Sequence, residues 1–179
     1  MVTSARRGVY GGAFDPPHLG HLILAREAAW QLGLDEVWLI PVGTPSHRGA
    51  PSAGGAERLA MVAAAVAEHP NLRASAIEIE RPGVSYTIDT LEQMAATDPD
   101  VELTVIIGAD QVRTFDRWRA PERICGLARL GVVARGEIDR GEVVAAAQRV
   151  APGRADVIEM PTIEISSTMI RERIAPGSP

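Results

Sequence analysis

Residues 11–21 read GGAFDPPHLGH, and this stretch decides the fold class. A short apolar run at residues 8–10 precedes it, and a segment in which apolar residues recur at helical spacing, from Leu22 to Leu32, follows it. A buried strand, a glycine-containing turn and an amphipathic helix, in this order, form the first unit of a parallel β-sheet. Ligands of such sheets bind beyond the carboxyl ends of the strands, so this turn is also the first candidate site.

The alternation of short apolar runs and amphipathic segments continues along the chain. Runs rich in valine and isoleucine predict strands at residues 8–10, 37–41, 72–79, 103–107, 130–134 and 157–160. Apolar stripes at helical spacing between the strands are formed by Leu22, Ala25, Ala29 and Leu32, by Leu59, Val62 and Val66, and by Leu91, Met94 and Ala95. The pattern predicts an α/β fold, namely a Rossmann-like, doubly wound, mostly parallel sheet with helices on both faces.

The composition indicates an ordinary globular chain with one domain, residues 1–179. Hydrophobic residues make up 46% and charged residues 23%, and the formal net charge of -5 argues against a nucleic-acid partner. Cys125 is the only cysteine, which excludes an intramolecular disulfide and predicts a small buried side chain. No apolar run approaches the ~20 residues of a membrane span, and residues 1–7 do not resemble a signal peptide, so we expect a cytoplasmic protein.

The turn at residues 11–21 carries two glycines and two histidines that suit a phosphate group. Gly11 and Gly12 allow backbone N–H groups to approach an anion without a Cβ in the way. His18 and His21 are three residues apart where the helix begins, so both imidazoles are expected on one side of its first turn, near the positive end of the helix dipole. Two ring donors and the dipole can therefore act on one anion.

A zinc site is the competing interpretation of this histidine pair. Zinc needs three or four ligands, and beyond the pair the chain offers only His47, His69 and Cys125, without a ligand spacing typical of zinc sites. Capping and packing can account for either histidine alone, but not for the pair together with the glycines. We predict a phosphate site and no metal held by the protein itself.

A second candidate phosphate site lies at residues 165–171, which read ISSTMIR and follow the last predicted strand. Ser166, Ser167 and Thr168 stand where a final short helix is expected to begin, and their hydroxyls can cap its free N–H groups. Arg171, one turn further on, adds a cation near the same helix end. Capping and anion binding are compatible roles, because a helix start with hydroxyls and an arginine also suits a phosphate.

The two stretches together resemble the GGxFxPxHxGH and ISSTxxR motifs of the nucleotidylyltransferase superfamily. The resemblance implies that His18 and His21 contact the phosphates of ATP, and that the hydroxyls and Arg171 bind the triphosphate from the opposite side. Mg²⁺ is then expected to be held mainly by the ATP phosphates and by water, which accords with the lack of a clear set of carboxylate ligands in the sequence.

Further stretches resemble the bacterial nicotinate mononucleotide adenylyltransferase (NadD) family. They are PVGTPSHR at residues 41–48, SYTIDTL at residues 85–91, the GAD and FxxW pattern within residues 108–118, and VVAR at residues 132–135. The resemblance implies transfer of the adenylyl group of ATP to nicotinate mononucleotide, with release of pyrophosphate. It also implies that backbone groups near Tyr86 and Thr87 recognise the nicotinate carboxylate, while Trp118 stacks on the pyridine ring.

Carried onto this chain residue by residue, the resemblance implies three groups of site residues. The catalytic group is His18, His21 and Arg171. The ATP-binding group is Gly11, Gly12, Ala13, Phe14, His18, His21, Gly108, Asp110, Ile165, Ser166, Ser167, Thr168 and Arg171, with Gly108 and Asp110 at the ribose. The acceptor-binding group is His47, Arg48, Tyr86, Thr87, Trp118 and Arg135, with Arg48 and Arg135 at the phosphate.

Two alternatives stay open. The acceptor can be the amide form, nicotinamide mononucleotide, because the acid and the amide differ by one atom and one charge; phosphopantetheine is disfavoured by SYTIDTL and Trp118. A non-catalytic nucleotide-binding module is the alternative from another class, and the intact motif residues argue against it. The expected partners are the small molecules ATP and mononucleotide, and a homo-oligomer is compatible with the sequence. Asp89 is expected to cap the helix that follows Tyr86, and no role is assigned to Arg113, Arg117 or Arg119.

Overall fold

A computed structural model of the protein describes residues 4–46, 49–134 and 139–175. The strands are β1 (Arg6–Gly12), β2 (Glu36–Pro41), β3 (Thr44–Pro45), β4 (Leu72–Ala74), β5 (Val84–Ser85), β6 (Glu102–Gly108), β7 (Ala128–Ala134) and β8 (Ala155–Glu159). The α-helices are α1 (Leu19–Leu32), α2 (Gly55–Val66), α3 (Thr87–Thr97), α4 (Ala109–Val112), α5 (Pro121–Leu127), α6 (Arg140–Val150) and α7 (Ser167–Ile174). A 3₁₀ turn, Phe115–Arg117, lies between α4 and α5.

Six of these strands form one sheet in the order β4-β2-β1-β6-β7-β8, and every neighbouring pair is parallel. The chain winds from β1 outwards through β2 to β4, and then returns to the other side of β1 with β6. The winding direction therefore reverses between β1 and β6, which is where doubly wound sheets open a ligand crevice. β3 and β5 form a separate parallel pair beside it.

The sheet has a hydrophobic core on each face, because neighbouring residues of a strand point to opposite sides. On one face, Val9 of β1 and Ile40 of β2 belong to a buried cluster that includes residues of α3, α5 and α6. On the other face, Tyr10 and Leu39 belong to a cluster with residues of α1 and α2. The predicted doubly wound parallel sheet with helices on both faces is confirmed.

The predicted strand at residues 72–79 is wrong beyond its first three residues, which form β4. The chain then leaves the sheet and turns, with the N–H of Glu80 bonded to the carbonyl of Ala76 over 2.9 Å. The turn brings Glu78 into the interior, where only 8% of it is exposed. The alternation of apolar residues that indicated a strand has another cause, since Ile77 packs against the core from this turn.

The three apolar stripes fall in α1, α2 and α3, as predicted, whereas α5 and α6 were not predicted. Both of these helices have local start signals. Pro121 lies in the first turn of α5, and the side chain of Asp139 accepts a hydrogen bond from the N–H of Glu142 at the start of α6. None of the helices within the described ranges is long and apolar enough to cross a membrane.

Cys125 lies half-buried in α5 and packs against one of the two cores. Burial raises the pKa of its thiol, and the charge of Arg154 only partly opposes this. A thiol with a raised pKa is a poor nucleophile, so the structure supports a packing role for this side chain.

Candidate active site

A cavity of about 640 Å³ opens where the winding of the sheet reverses. Its wall includes the ends of β1, β2 and β6. The wall residues that the sequence predicted are Gly11, Gly12, Ala13, Tyr86, Thr87, Trp118, Ser167 and Arg171. The first turn, the start of α3 and the start of α7 therefore face one space, although they are far apart in the sequence.

His18 and His21 lie at the start of α1, shortly after the wall residues Gly12, Ala13 and Asp15, but neither histidine is itself part of the cavity wall. Their ring centroids are 3.7 Å apart, so the pair predicted from their spacing is formed. His18 precedes the helix with extended backbone, and its N–H donates to Nδ1 of His21 over 3.1 Å. Because Nδ1 accepts this bond, a neutral His21 ring carries its proton on Nε2, which is then a donor. A Cβ at Gly20 would lie 3.1 Å from two atoms of the His18 ring, so a glycine between the histidines keeps room for that ring.

An aromatic cluster supports the imidazole of His21. Phe14 is 1% exposed and meets this ring edge to face, with centroids 5.0 Å apart, and Tyr10 packs on Phe14 at 5.4 Å. Phe14 adopts a φ of 49°, a left-handed conformation that is strained for a residue with a side chain. The side chain of Phe14 therefore packs against His21 in the interior, and only the backbone of Phe14 can contact a nucleotide.

Asp15 ties the phosphate loop, which we define as residues 11–17, to the segment before α2. Its carboxylate is buried and accepts hydrogen bonds from the N–H groups of Ser52, over 2.6 Å, and Ala53, over 3.1 Å. Arg171 lies 3.8 Å from the same carboxylate. Burial acts to raise the pKa of Asp15, but these hydrogen bonds and the charge of Arg171 prevail and hold it below its ordinary value. Asp15 is therefore an ionised anchor.

α7 docks directly onto the phosphate loop. The hydroxyl of Ser167 donates to the carbonyl of Pro16 over 2.8 Å, and the guanidinium of Arg171 donates to the carbonyl of Asp15. Two motifs more than 140 residues apart are thus joined by direct contacts, which places the arginine at the phosphate loop.

The rest of the C-terminal motif shapes the start of α7. The hydroxyl of Ser166 accepts from the N–H of Met169 over 3.2 Å, so the predicted capping is confirmed for this residue. The hydroxyl of Thr168 accepts from Arg171 over 3.2 Å and helps to orient the guanidinium. Ile165 precedes the cap with 41% of its surface exposed.

Arg58 joins three loops around the cavity, although it is only 2% exposed. Its guanidinium donates to the carbonyls of Ala13, over 2.8 Å, Val42, over 2.7 Å, and Ala53, over 3.1 Å. Burial lowers the pKa of Arg58, and the charge of Asp15 partly opposes this. Ala13 follows β1, Val42 follows β2, and Ala53 precedes α2. The side chain of Arg58 therefore sets the relative positions of these three segments.

Aromatic residues dominate the opposite end of the cavity. Trp118 follows the 3₁₀ turn and packs on Phe115 with ring centroids 5.1 Å apart. Tyr86 is the residue before α3, Thr87 is its first residue, and the guanidinium of Arg119 lies over the Tyr86 ring at 4.7 Å. This end offers a flat indole and a helix start, which suit an aromatic ring that bears an anionic group.

The prediction that Asp89 caps α3 is wrong. Tyr86 takes the cap position and no side chain forms a capping hydrogen bond there. The carboxylate of Asp89 instead lies 3.5 Å from Nη1 of Arg119. The fold brings Arg119 close to Asp89, and the carboxylate pairs with this arginine instead of capping the helix.

Gly108 and Asp110 lie at the junction of β6 and α4. A Cβ on Gly108 would overlap Oδ1 of Asp110, so a larger residue here would require the carboxylate of Asp110 to move. The N–H of Gly108 donates to Oε1 of Gln111 over 3.0 Å, and Gln111 is part of the cavity wall. Gln111 therefore connects the end of β6 to the cavity wall, whereas Gly108 and Asp110 are not part of that wall.

Glu78 is a buried carboxyl group in the cavity wall. The hydroxyl of Thr90 donates to Oε1 of Glu78 over 2.8 Å, and Thr90 in turn accepts from Arg81. Burial raises the pKa of Glu78, and the hydrogen bond from Thr90 and the charge of Arg81 oppose this only in part. The folded protein thus favours the protonated form of this group more than the unfolded chain does.

The raised pKa predicts a pH-dependent effect of the substitution Glu78→Gln. A group whose pKa is higher in the folded state loses its stabilising contribution as pH rises from the unfolded value towards the folded one. The free energy of unfolding of the variant minus that of the wild type should therefore increase between pH 4 and pH 7, as measured by urea denaturation. A difference that is constant or decreases over this range would contradict the raised pKa.

Three predicted residues, His47, Arg48 and Arg135, lie outside the described residues. Sequence reasoning missed Asp15, Arg58 and Glu78, although all three border the cavity or brace it. Asp15 belongs to the stretch of residues 11–21, but at a position where the motif allows any residue. No sequence pattern marks a charged residue as buried, so Arg58 and Glu78 could not be identified from the sequence. Among the residues that the structure describes, no three histidine, cysteine, aspartate or glutamate side chains gather so as to hold a metal ion.

Comparison with known proteins shows the family. The model of the cytidylyltransferase-like family matches residues 9–173. A probable nicotinate-nucleotide adenylyltransferase of Synechococcus sp. (strain JA-3-3Ab) is 42% identical over 176 residues, which are 96% of this chain and 84% of the relative. Another from Roseiflexus sp. (strain RS-1) is 42% identical over 181 residues, 99% of this chain and 90% of the relative.

A solved structure has a similar fold. Nicotinic acid mononucleotide adenylyltransferase of Plasmodium falciparum, complexed with NaAD, superposes with a TM-score of 0.80. The match covers 98% of this chain and 86% of the other, with 16% sequence identity. At this identity the likeness concerns the fold, and the arrangement of six parallel strands agrees with it.

Proposed function

The chain belongs to the cytidylyltransferase-like family, and the relatives similar to it are named probable nicotinate-nucleotide adenylyltransferases. From this premise we propose that it transfers the adenylyl group of ATP to nicotinate mononucleotide. The observation that carries the proposal is a single cavity with two different ends. The phosphate loop and α7 form a cationic end, and Tyr86, Thr87 and Trp118 form an aromatic end. A reaction that joins a triphosphate to a pyridine nucleotide needs both.

The chemistry requires placement more than it requires acid or base groups. The 5′-phosphate of the acceptor attacks the α-phosphorus of ATP, a new P–O bond forms, the bond to the β-phosphate breaks, and pyrophosphate leaves. The nucleophile is already an anion and the leaving group is stable, so no protein nucleophile is needed. The main obstacles are the repulsion between two polyanions and the entropy of aligning them.

Three side chains oppose this repulsion at the cationic end. His18 and His21 bind ATP phosphates; the bond to Nδ1 of His21 favours the Nε2 donor that faces away from the helix start. Arg171, fixed on Asp15 and Thr168, supplies a permanent charge from the opposite side. Together with the helix start, these groups stabilise charge on the leaving pyrophosphate.

Backbone and hydroxyl groups complete the ATP site. Gly11 has no atom within 4 Å of the position of a Cβ, so its backbone faces open space into which a phosphate fits. The remaining ATP contacts come from Gly12, Ala13, the backbone of Phe14, Ile165, Ser166, Ser167 and Thr168. Gly108 and Asp110 bind the ribose at the end of β6.

The protein contributes little to holding Mg²⁺. Asp15 is the carboxylate within the phosphate loop, and its oxygens already accept two backbone hydrogen bonds and lie close to Arg171. The donor set therefore fits an ion held by ATP phosphates and water. When bound, Mg²⁺ neutralises phosphate charge.

The acceptor binds at the aromatic end. Trp118 stacks on the pyridine ring, and backbone groups at Tyr86 and Thr87 meet its carboxylate. Arg48 and Arg135 bind the acceptor phosphate, and His47 is a further acceptor-binding residue. The single cysteine and the use of ATP suit a cytoplasmic enzyme.

An assay with purified protein tests the proposal. With ATP, Mg²⁺ and nicotinate mononucleotide, we expect pyrophosphate release and formation of nicotinate adenine dinucleotide in equal amounts, and no release when the mononucleotide is omitted. Turnover with phosphopantetheine but with no mononucleotide would contradict the acceptor. No turnover with any of these acceptors would favour a non-catalytic nucleotide-binding module.

A further inference from the structure

Arg119 occupies a fixed place at the aromatic end of the cavity. It is part of the cavity wall, its guanidinium lies 4.7 Å over the ring of Tyr86, and its Nη1 lies 3.5 Å from the carboxylate of Asp89. Its side chain is nevertheless 58% exposed. Exposed ion pairs contribute little to folding stability, so stability does not explain why this cation is held over the helix start.

The backbone after Arg119 supports a defined orientation. Ala120 adopts a left-handed conformation, φ 52° and ψ 57°, which is strained for a residue other than glycine, and Pro121 then begins α5. Strained residues of this kind cluster at functional sites, where the surrounding structure maintains them. The conformation directs the chain so that Trp118 and Arg119 both face the cavity.

The position of its guanidinium distinguishes Arg119 from the arginines near it. Arg113 lies outside the cavity wall, 4.0 Å from the carboxylate of Glu142. Arg117 is part of the wall, but no hydrogen bond or ion pair between its side chain and another described residue positions its guanidinium. The same wall contains the carboxyl group of Glu78, which in its ionised form would repel an anionic pyridine ligand. Arg119 is therefore the cation that is positioned at the aromatic end.

We propose that Arg119 is a specificity-determining residue, whose positioned charge makes the site prefer a mononucleotide with a pyridine carboxylate over one with a pyridine carboxamide. The inference rests on the proposed function, since it concerns the acceptor of the same reaction. The two acceptors have almost the same shape and differ by one charge. A nearby cation that is already oriented attracts the acid and leaves the amide nearly unaffected.

The test is a series of charge variants with both acceptors. The ratio of kcat/KM for nicotinate mononucleotide to kcat/KM for nicotinamide mononucleotide is measured at saturating ATP and Mg²⁺. We expect Arg119→Gln to lower this ratio about tenfold, mainly through the acid, Arg119→Glu to lower it further, and Arg119→Lys to retain most of it. Arg113→Gln, which removes an equally charged residue of the same segment outside the cavity, should leave the ratio unchanged.

The outcomes separate this inference from the proposed function. If the wild type is active and the ratio stays within twofold in both Arg119→Gln and Arg119→Glu, the inference is wrong and the function stands. An equal loss for the two acceptors also overturns it, because that is the effect of a structural residue. A wild type that turns over neither mononucleotide overturns the function itself and the inference with it.

Discussion

His18→Ala and His21→Ala are each expected to lower kcat about 10²- to 10³-fold while the melting temperature changes little. The loss of one positioned donor to a developing negative charge has an effect of about this size in other enzymes. Folding should be affected much less, because both side chains are half-buried and lie at the edge of the core. The measurement is kcat at saturating ATP, together with thermal unfolding of each variant.

Two further variants make this test selective. In His21→Asn the amide oxygen can accept the N–H of His18 in place of Nδ1, which preserves the helix start while the Nε2 donor is lost. We expect its kcat to fall nearly as far as in His21→Ala. His69→Ala changes a histidine between α2 and β4, outside the phosphate loop and the start of α1, and should retain full turnover. Near-normal kcat in a His18 or His21 variant would show that the residue in question does not act on the phosphates.

The fold could be predicted from the sequence where local pattern and tertiary packing agree. Continuous apolar runs such as residues 103–107 and 130–134 are buried on both faces, so their strands are evident without knowledge of their neighbours. The strand predicted at residues 72–79 failed because Ile77 and Glu78 alternate as in a strand, while the chain needs a turn there. Periodicity does not show where a chain turns, and here the turn buries the polar Glu78 while Ile77 stays only partly buried.

The site residues that belong to recognisable motifs could be predicted from the sequence. The phosphate loop and the motif before α7 were recognisable separately, and the contact of Ser167 with Pro16 shows that they form one wall. The residues that hold the wall together were not recognisable. Arg58 lies in α2 next to Leu59 of the apolar stripe, and a charged residue at such a position is ordinarily expected in solvent. Arg58 can be buried because its guanidinium donates to carbonyl groups of three separate segments, and no local sequence pattern indicates these contacts.

Arg58→Met is expected to lower the free energy of unfolding by about 3–5 kcal/mol. Methionine fills much of the same space but donates no hydrogen bond, so the carbonyls of Ala13, Val42 and Ala53 lose a shared donor whose side chain is buried. An unsatisfied buried acceptor costs roughly 1–3 kcal/mol. Removal of Arg58 also leaves the buried carboxylate of Asp15 with less positive charge around it. The measurement is urea denaturation at neutral pH.

A matched control tests whether burial and hydrogen bonding cause this loss. Arg26→Met makes the same change on an exposed face of α1 and should alter stability by less than about 0.5 kcal/mol. Arg58→Lys keeps the charge but lacks the fork that reaches three carbonyls, so its loss should lie between the two. If Arg58→Met unfolded at the same urea concentration as Arg26→Met, the three hydrogen bonds would not stabilise the phosphate loop. The histidines would then owe their positions to the aromatic cluster and α7 alone.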